Sequence, residues 1–178
     1  GAEADAFTDS TFDNTAQVSL YSEENLDTYA STVDGNTTLS IISVGDIGVY
    51  DSSISGNLTV TIDSGNNITI EGSQLTHNGS IEVSAISNAI VSSSSVEGND
   101  LVISAVNGDA VIEDSYVADT VLDVESEFGD ALIEFSEVSD SDVVVVSTEG
   151  DSVVADSSID NTVTDVEIGR AVQQECRD

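Results

Sequence analysis

Hydroxyls and carboxyls are the reactive side chains of this chain, and both fall in columns. Ser10, Ser31, Ser52, Ser73, Ser94, Ser115, Ser136 and Ser157 stand 21 residues apart, with no insertion or deletion. A serine becomes a nucleophile when a base takes its proton and a third group orients that base. His77 is the sole histidine, and the same serine recurs in repeats with no histidine nearby. Eight equivalent hydroxyls are the opposite of one activated nucleophile, so the column reads as a structural ladder. His77 takes a place held in other repeats by Gly, Asn or Asp, which is a turn position.

The acids also stack. Asp109, Asp130 and Asp151 form one column, Glu113 and Glu134 a second, Asp119 and Asp140 a third. Stacked strands would bring neighbours to about 4.8 Å. Two unit charges at that spacing repel by about 0.9 kcal/mol even at the dielectric of water. A hard divalent ion with oxygen ligands relieves such repulsion. Asp109, Asp130, Asp151, Asp119 and Asp140 are therefore candidate calcium ligands, against the plainer reading of a solvated acidic face screened by salt. Neither the glycine-rich nonapeptide of calcium-binding β-rolls nor a twelve-residue calcium loop occurs. Calcium is the only cofactor considered, and none is required. Asn-x-Ser/Thr sequons at Asn36, Asn57, Asn67 and Asn78 fall in repeat columns and read as by-products of them. Paired carboxylates suit glycoside cleavage, but the loops are minimal and the first basic residue is Arg170. An enzyme is not expected.

Composition narrows the partners. The 178 residues carry 35 acids against two arginines and no lysine, a formal charge of -33. Phosphate backbones need Lys and Arg, so nucleic acid is excluded, and anionic membrane surfaces are disfavoured. No run approaches 18 apolar residues, so no membrane span is expected. No signal-peptide pattern is present, and Gly1 reads as a mature end after cleavage or a cloning scar. Cys176 is the only cysteine, which leaves a free thiol or an intermolecular bridge.

The columns must be held by regular elements, and the apolar pattern supplies them. Each repeat contains three short alternating segments, as in Val60/Ile62, Ile68/Ile70 and Leu75 beside Ser73. Alternation at period two in β-branched residues means strands. From Leu101 onward the first segment slips by one residue while the other columns keep their spacing. A strand cannot absorb such a slip without turning its side chains over, so one corner lost a residue and the next gained one. Two further columns are rich in Gly, Asn and Asp, which tolerate left-handed backbone, and read as sharp left-handed turns: Asn25, Asp46, Asn67, Asn88, Asp109, Asp130 and Asp151 before the middle strands, and Asn14, Gly35, Gly56, His77, Gly98, Asp119, Asp140 and Asn161 after the third. Asn36, Asn57, Asn78 and Asn99, then Thr120, Ser141 and Thr162, read as a side-chain ladder.

Three two-sided faces per repeat close only if each repeat is one coil stacked on the last. The expected fold is all-β: a single-domain parallel β-solenoid of about eight 21-residue coils, three short strands per coil, roughly 38 Å long. It covers residues 1–168, the first coil partial, with 169–178 a non-repetitive cap or tail. The absence of proline fits a chain whose backbone amides are needed between coils. Along the outside of the middle strands, Ile90, Val111, Leu132 and Val153 form an apolar stripe expected to mark a contact.

In this architecture the chain resembles the β-solenoid (parallel β-helix) surface and fibre proteins, over about residues 5–168 and without a family-specific motif. The resemblance implies a secreted, extracellular or cell-surface structural protein that self-assembles through its ends and its stripe into a fibre or surface layer. Adhesion and biofilm are the matching settings. The alternative is a binding module, of the adhesin or tail type, for a carbohydrate or host ligand.

Overall fold

The computed structural model describes residues 5–160 and 163–168. Every regular element in it is a strand, so no helix there is long and apolar enough to cross a membrane. Twenty-four strands, β1–β24 in chain order, fall into three eight-stranded parallel sheets, each built from every third strand. One coil is typified by β9 (Thr59–Ser64), β10 (Ile68–Glu71) and β11 (Gln74–Thr76). The next coil pairs upon it residue for residue: Ile68 with Ala89, Leu75 with Val96, Val60 with Ile81. The parallel β-solenoid follows directly from the repeat.

Alternation decides what is inside. In β9 the pattern runs exposed or half-buried at Thr59, Thr61 and Asp63, and buried at Val60, Ile62 and Ser64. Val60, Ile62, Ile68, Ile70 and Leu75 are all fully buried, as are their counterparts one coil on. Fully burying one such aliphatic contributes roughly 1.5–3 kcal/mol, and each coil adds five inward positions. Phe7 and Phe12 stand in two of these columns in the first coil and meet edge to face, ring centroids 6.5 Å apart.

The predicted slip is present in the register. Ile81 pairs with Leu101, a step of 20 residues, and Leu101 with Leu122, a step of 21. The shortened corner is Gly98–Asn99, before β15 (Asp100–Ala105), and the lengthened one is 106–109. The strands themselves keep their faces.

Corners pose a specific problem: an amide that points between coils where the turning backbone offers it no carbonyl. At the serine corner the amide of Ala30 donates to the Tyr50 carbonyl of the next coil, and that of Thr32 donates back to Ser10. Between them, the Ser31 amide donates to Ser52 Oγ at 3.1 Å. The pattern recurs along the column, from Ser10 onto Ser31 through to Ser136 onto Ser157, at 3.1–3.3 Å. Each hydroxyl in turn donates to the carbonyl two residues before it, as Ser94 Oγ does to Ser92 at 2.7 Å. The serines are thus a ladder, as expected, but a ladder of backbone amide to side-chain oxygen rather than of hydroxyl to hydroxyl.

The other two corners use the same device. Asn36, Asn57 and Asn78 donate their amides to Oδ1 of the asparagine one coil on, at 2.7–3.0 Å, and Thr120 does so to Ser141 Oγ. At the third corner the direction reverses. Asp46 donates to Asn25 Oδ1 in the preceding coil, Asn67 to Asp46, Asn88 to Asn67 and Asp109 to Asn88.

This corrects one expectation. The column from Asn25 to Asp151 is not left-handed, and its role is to supply these acceptors. The glycines beside it serve close approach: a Cβ on Gly129 would run into the Gly108 carbonyl oxygen. The left-handed residues lie in the Asn14–Asp140 column, as predicted (φ 47–66°), and also immediately before every ladder serine: Asp9, Ala30, Asp51, Gly72, Ser93, Asp114, Phe135 and Asp156 (φ 47–62°).

Two predictions follow from the corners. Ser94→Ala strips the acceptor from the buried Ser73 amide and should cost about 1–3 kcal/mol in chemical denaturation, against less at the half-buried Ser157. Ala30→Gly removes left-handed strain of about 1–2 kcal/mol, partly offset by the entropy of an added glycine, so the variant should be more stable by up to about 1 kcal/mol.

Candidate functional site

Placed on the solenoid, the candidate residues separate. The ladder serines from Ser31 to Ser136 are buried with donor and acceptor capacity engaged, and none faces a base. His77 is exposed in its left-handed corner. The side-chain amides of Asn36, Asn57 and Asn78 are buried and bonded to neighbouring carbonyls, as in Asn78 Nδ2 to Ile54 at 2.9 Å. Sequons placed there offer no accessible nitrogen in the folded chain.

The acidic columns are of two kinds. Asp109 and Asp130 give one carboxylate oxygen to the next amide in the column, at 2.8 Å to Asp130 and 2.8 Å to Asp151. Asp119 and Asp140 lie at the other corner, where with Asp100 and Asp142 they rim an open hollow of about 400 Å³. Among the described residues, no group of three or more His, Cys, Asp or Glu side chains is arranged to hold a metal ion.

The apolar stripe points outward, and its members stack directly: Ile90 on Val111, Val111 on Leu132, Leu132 on Val153. It is not bare. Val111 is only 8% exposed and the other three are half-buried. The segment 169–178, expected as a cap or tail, lies outside the described residues.

Two features were not read from the sequence. At outward positions of three successive six-residue strands, 100–105, 121–126 and 142–147, acids and valines alternate: Asp100, Val121 and Asp142 in one column, Val102, Asp123 and Val144 in the next. Alternation keeps like charges in a column about two coil spacings apart, roughly 9.6 Å. Asp123 and Glu125 share one strand of this face, β18 (Val121–Ser126). Burial raises both carboxyls above the ordinary carboxylate range, and the Asp123 charge raises Glu125 further. Asp123 Oδ1 is buried without a hydrogen-bond partner.

The second feature is a hollow of about 300 Å³ on the outer face of the four-residue strands, at the end of the stripe. It is lined by Asp27, Asp46, Gly48, Tyr50, Asn67, Thr69, Asn88 and Ile90. Tyr29 and Tyr50 stack one coil apart, centroids 4.9 Å and planes 16° from parallel. Gly48 makes this possible, because a Cβ there would run into Tyr50 Cε2 and crowd Asp27 Oδ1. Asp27 is raised above its ordinary value by burial and then by Asp46. The Tyr50 hydroxyl is raised by burial and by the charges around it, Asp27 foremost. The only sequence signal for this site is a glycine in an outward strand column that otherwise carries side chains.

Comparison with protein-family models, curated proteins and solved structures gives no match. The functional reading therefore rests on geometry and charge.

The Asp123 pair gives a pH prediction. A carboxyl raised in the folded state favours folding in acid, and that contribution is lost as pH rises through the raised value. At neutral pH both groups are charged at a cost. Asp123→Asn should therefore raise the melting temperature at neutral pH, with the gain shrinking to nothing in acid, as followed by calorimetry across the range. Gly48→Thr should expel the Tyr50 ring, seen as loss of the ring-current shifts between the two tyrosines.

Proposed function

We propose that this chain is a structural protein: a self-associating rod, extended by coil-on-coil pairing into a fibre or surface layer outside the cell, without enzymatic activity. The observation that carries this reading is the continuity of all three sheets through eight strands in fixed register. Among the described residues, the sheets end on β1 (Asp5–Thr8), β2 (Thr11–Asp13) and β3 (Gln17–Ser22) at one end. At the other they end on β22 (Ser152–Ala155), β23 (Ser158–Asp160) and β24 (Val163–Ile168). One edge of each terminal strand is a template for a further coil. A coil from a second copy would also cover the inward residues that the ends leave partly exposed: Phe7 and Phe12 at one, Val154 and Ile159 at the other. Uniform coils without long loops suit a part whose product is length and surface.

Charge sets the condition for assembly. Subunits with a formal charge of -33 repel at long range, and that repulsion is screened over about 10 Å at 0.1 M salt. Calcium enters this reading as a counter-ion of the acidic corners. A second reading, a binding module, is favoured by the hollow beside Tyr50, whose aromatic and polar lining has no part in the coil-to-coil ladders beyond Asp46, Asn67 and Asn88.

Electron microscopy across a salt series is the test. Filaments one solenoid wide should appear as ionic strength rises, and Ile159→Lys, which places a charge in the core's open end, should keep the protein monomeric. Monodisperse monomers at high protein and salt concentration would remove the proposal. Melting curves at matched ionic strength separate screening from ligation: equal stabilisation by sodium and calcium marks screening, and an excess for calcium marks a bound ion.

A further inference from the structure

The hollow beside Tyr50 has a shape and a charge that together select one kind of ligand. Tyr29 and Tyr50 stack at 4.9 Å, so each ring fills the rise of one coil. The place of a third ring falls in the next coil, which offers Thr69 at the base and the exposed Glu71 in the tyrosine column. One coil further on, Ile90 closes the slot. Between the free face of Tyr50 and Ile90 there are two coil spacings, about 9.6 Å, with the short Thr69 between them and the exposed Glu71 beside it. Such a gap admits a single flat group, lying parallel to the tyrosine ring.

The surroundings specify its charge. Asp27 and Asp46 line the hollow, Glu71 stands beside Tyr50, and Asn67 and Asn88 form the corner wall. Among the described residues no lysine or arginine faces any of them: the chain has no lysine, and its two arginines, Arg170 and Arg177, lie outside the described residues. A net charge of -33 concentrates cations at such a surface and repels anions. A flat cation is attracted to the negative face of a tyrosine ring, and a guanidinium can in addition bridge carboxylates with its fixed fork of N–H donors.

The geometry points to a guanidinium-binding slot between Tyr50 and Ile90, with Tyr50 as the stacking platform, Asp46 and Glu71 as acceptors, and Thr69 as the floor. The ligand is an arginine side chain of a peptide or protein partner. The slot rests on the second reading, binding through the outer face, and is independent of end-to-end assembly. Its selectivity over lysine follows from shape, because a compact ammonium neither fills a flat slot nor presents two donors in one plane to paired carboxylates.

The test is a titration of the full chain with N-acetyl-arginine amide and N-acetyl-lysine amide at moderate salt, read by NMR on the tyrosine rings. The slot predicts saturable binding of the arginine probe, shifts at Tyr50, and affinity for the lysine probe at least ten-fold weaker. Thr69→Ile fills the slot with the residue its neighbour Ile90 already carries, so the fold is kept; it should abolish binding without lowering the melting temperature. The double variant Arg170→Gln/Arg177→Gln separates the sources. Tighter probe binding in it would overturn the assignment to a partner, because the chain's own arginines would then be the occupants; unchanged binding is the expected result. Equal, non-saturating responses to both probes, or undiminished binding by Thr69→Ile, would overturn the assignment. Electron microscopy of the same samples reports on assembly separately, so either proposal can fail alone.

Discussion

A coiled chain must give every corner amide an acceptor, and this requirement organises the whole molecule. Strand amides are satisfied by the coil above or below. At each of three corners, however, one amide points between coils with no carbonyl to meet. Here a side-chain oxygen from the neighbouring coil meets it: Ser Oγ at one corner, Asn Oδ1 or a hydroxyl at the second, Asn or Asp Oδ1 at the third. An acceptor that must reach the same amide in every coil has to recur at a fixed interval. The 21-residue period is the sequence record of that geometry.

The same requirement shapes the electrostatics. Asparagine and aspartate are nearly interchangeable as Oδ1 acceptors, so the third corner drifts from Asn67 and Asn88 to Asp109 and Asp130 without losing its hydrogen bonds. Left-handed corners accept Asp as well, as at Asp51, Asp114 and Asp140. Part of the negative charge therefore sits where backbone geometry already favours short acceptor side chains. On the broad face of the six-residue strands, where nothing demands an acid, charge alternates with valine from Asp100 to Val144. Asp123 marks the limit of that arrangement, with one oxygen buried and unpartnered.

Most of the architecture was legible because it is periodic. The inward rows, the serine and asparagine ladders and even the one-residue slip at Leu101 each leave a mark at fixed spacing. What escaped was aperiodic or identity-blind. The left-handed position before each serine is occupied by Asp, Ala, Gly, Ser and Phe in turn, so no residue type announces it. The column from Asn25 to Asp151 looked left-handed because Asn, Asp and Gly suit both strained turns and tight acceptor corners. The hollow beside Tyr50 depends on one ring leaning over one glycine, a contact between residues of a single strand that no repeat statistic contains. Of the acids proposed as calcium ligands, Asp109 and Asp130 each lend one carboxylate oxygen to a backbone amide, a role the column spacing alone did not reveal.

Amide hydrogen exchange, resolved residue by residue, tests the central role of the corner ladders most directly. The amides of Ser31 to Ser136, of Asn36, Asn57 and Asn78, and of Asp109 and Asp130 should be protected to the same degree as the strand amides beside them. Exchange of these corner amides at the rate of open loops, with the strands still protected, would contradict the account.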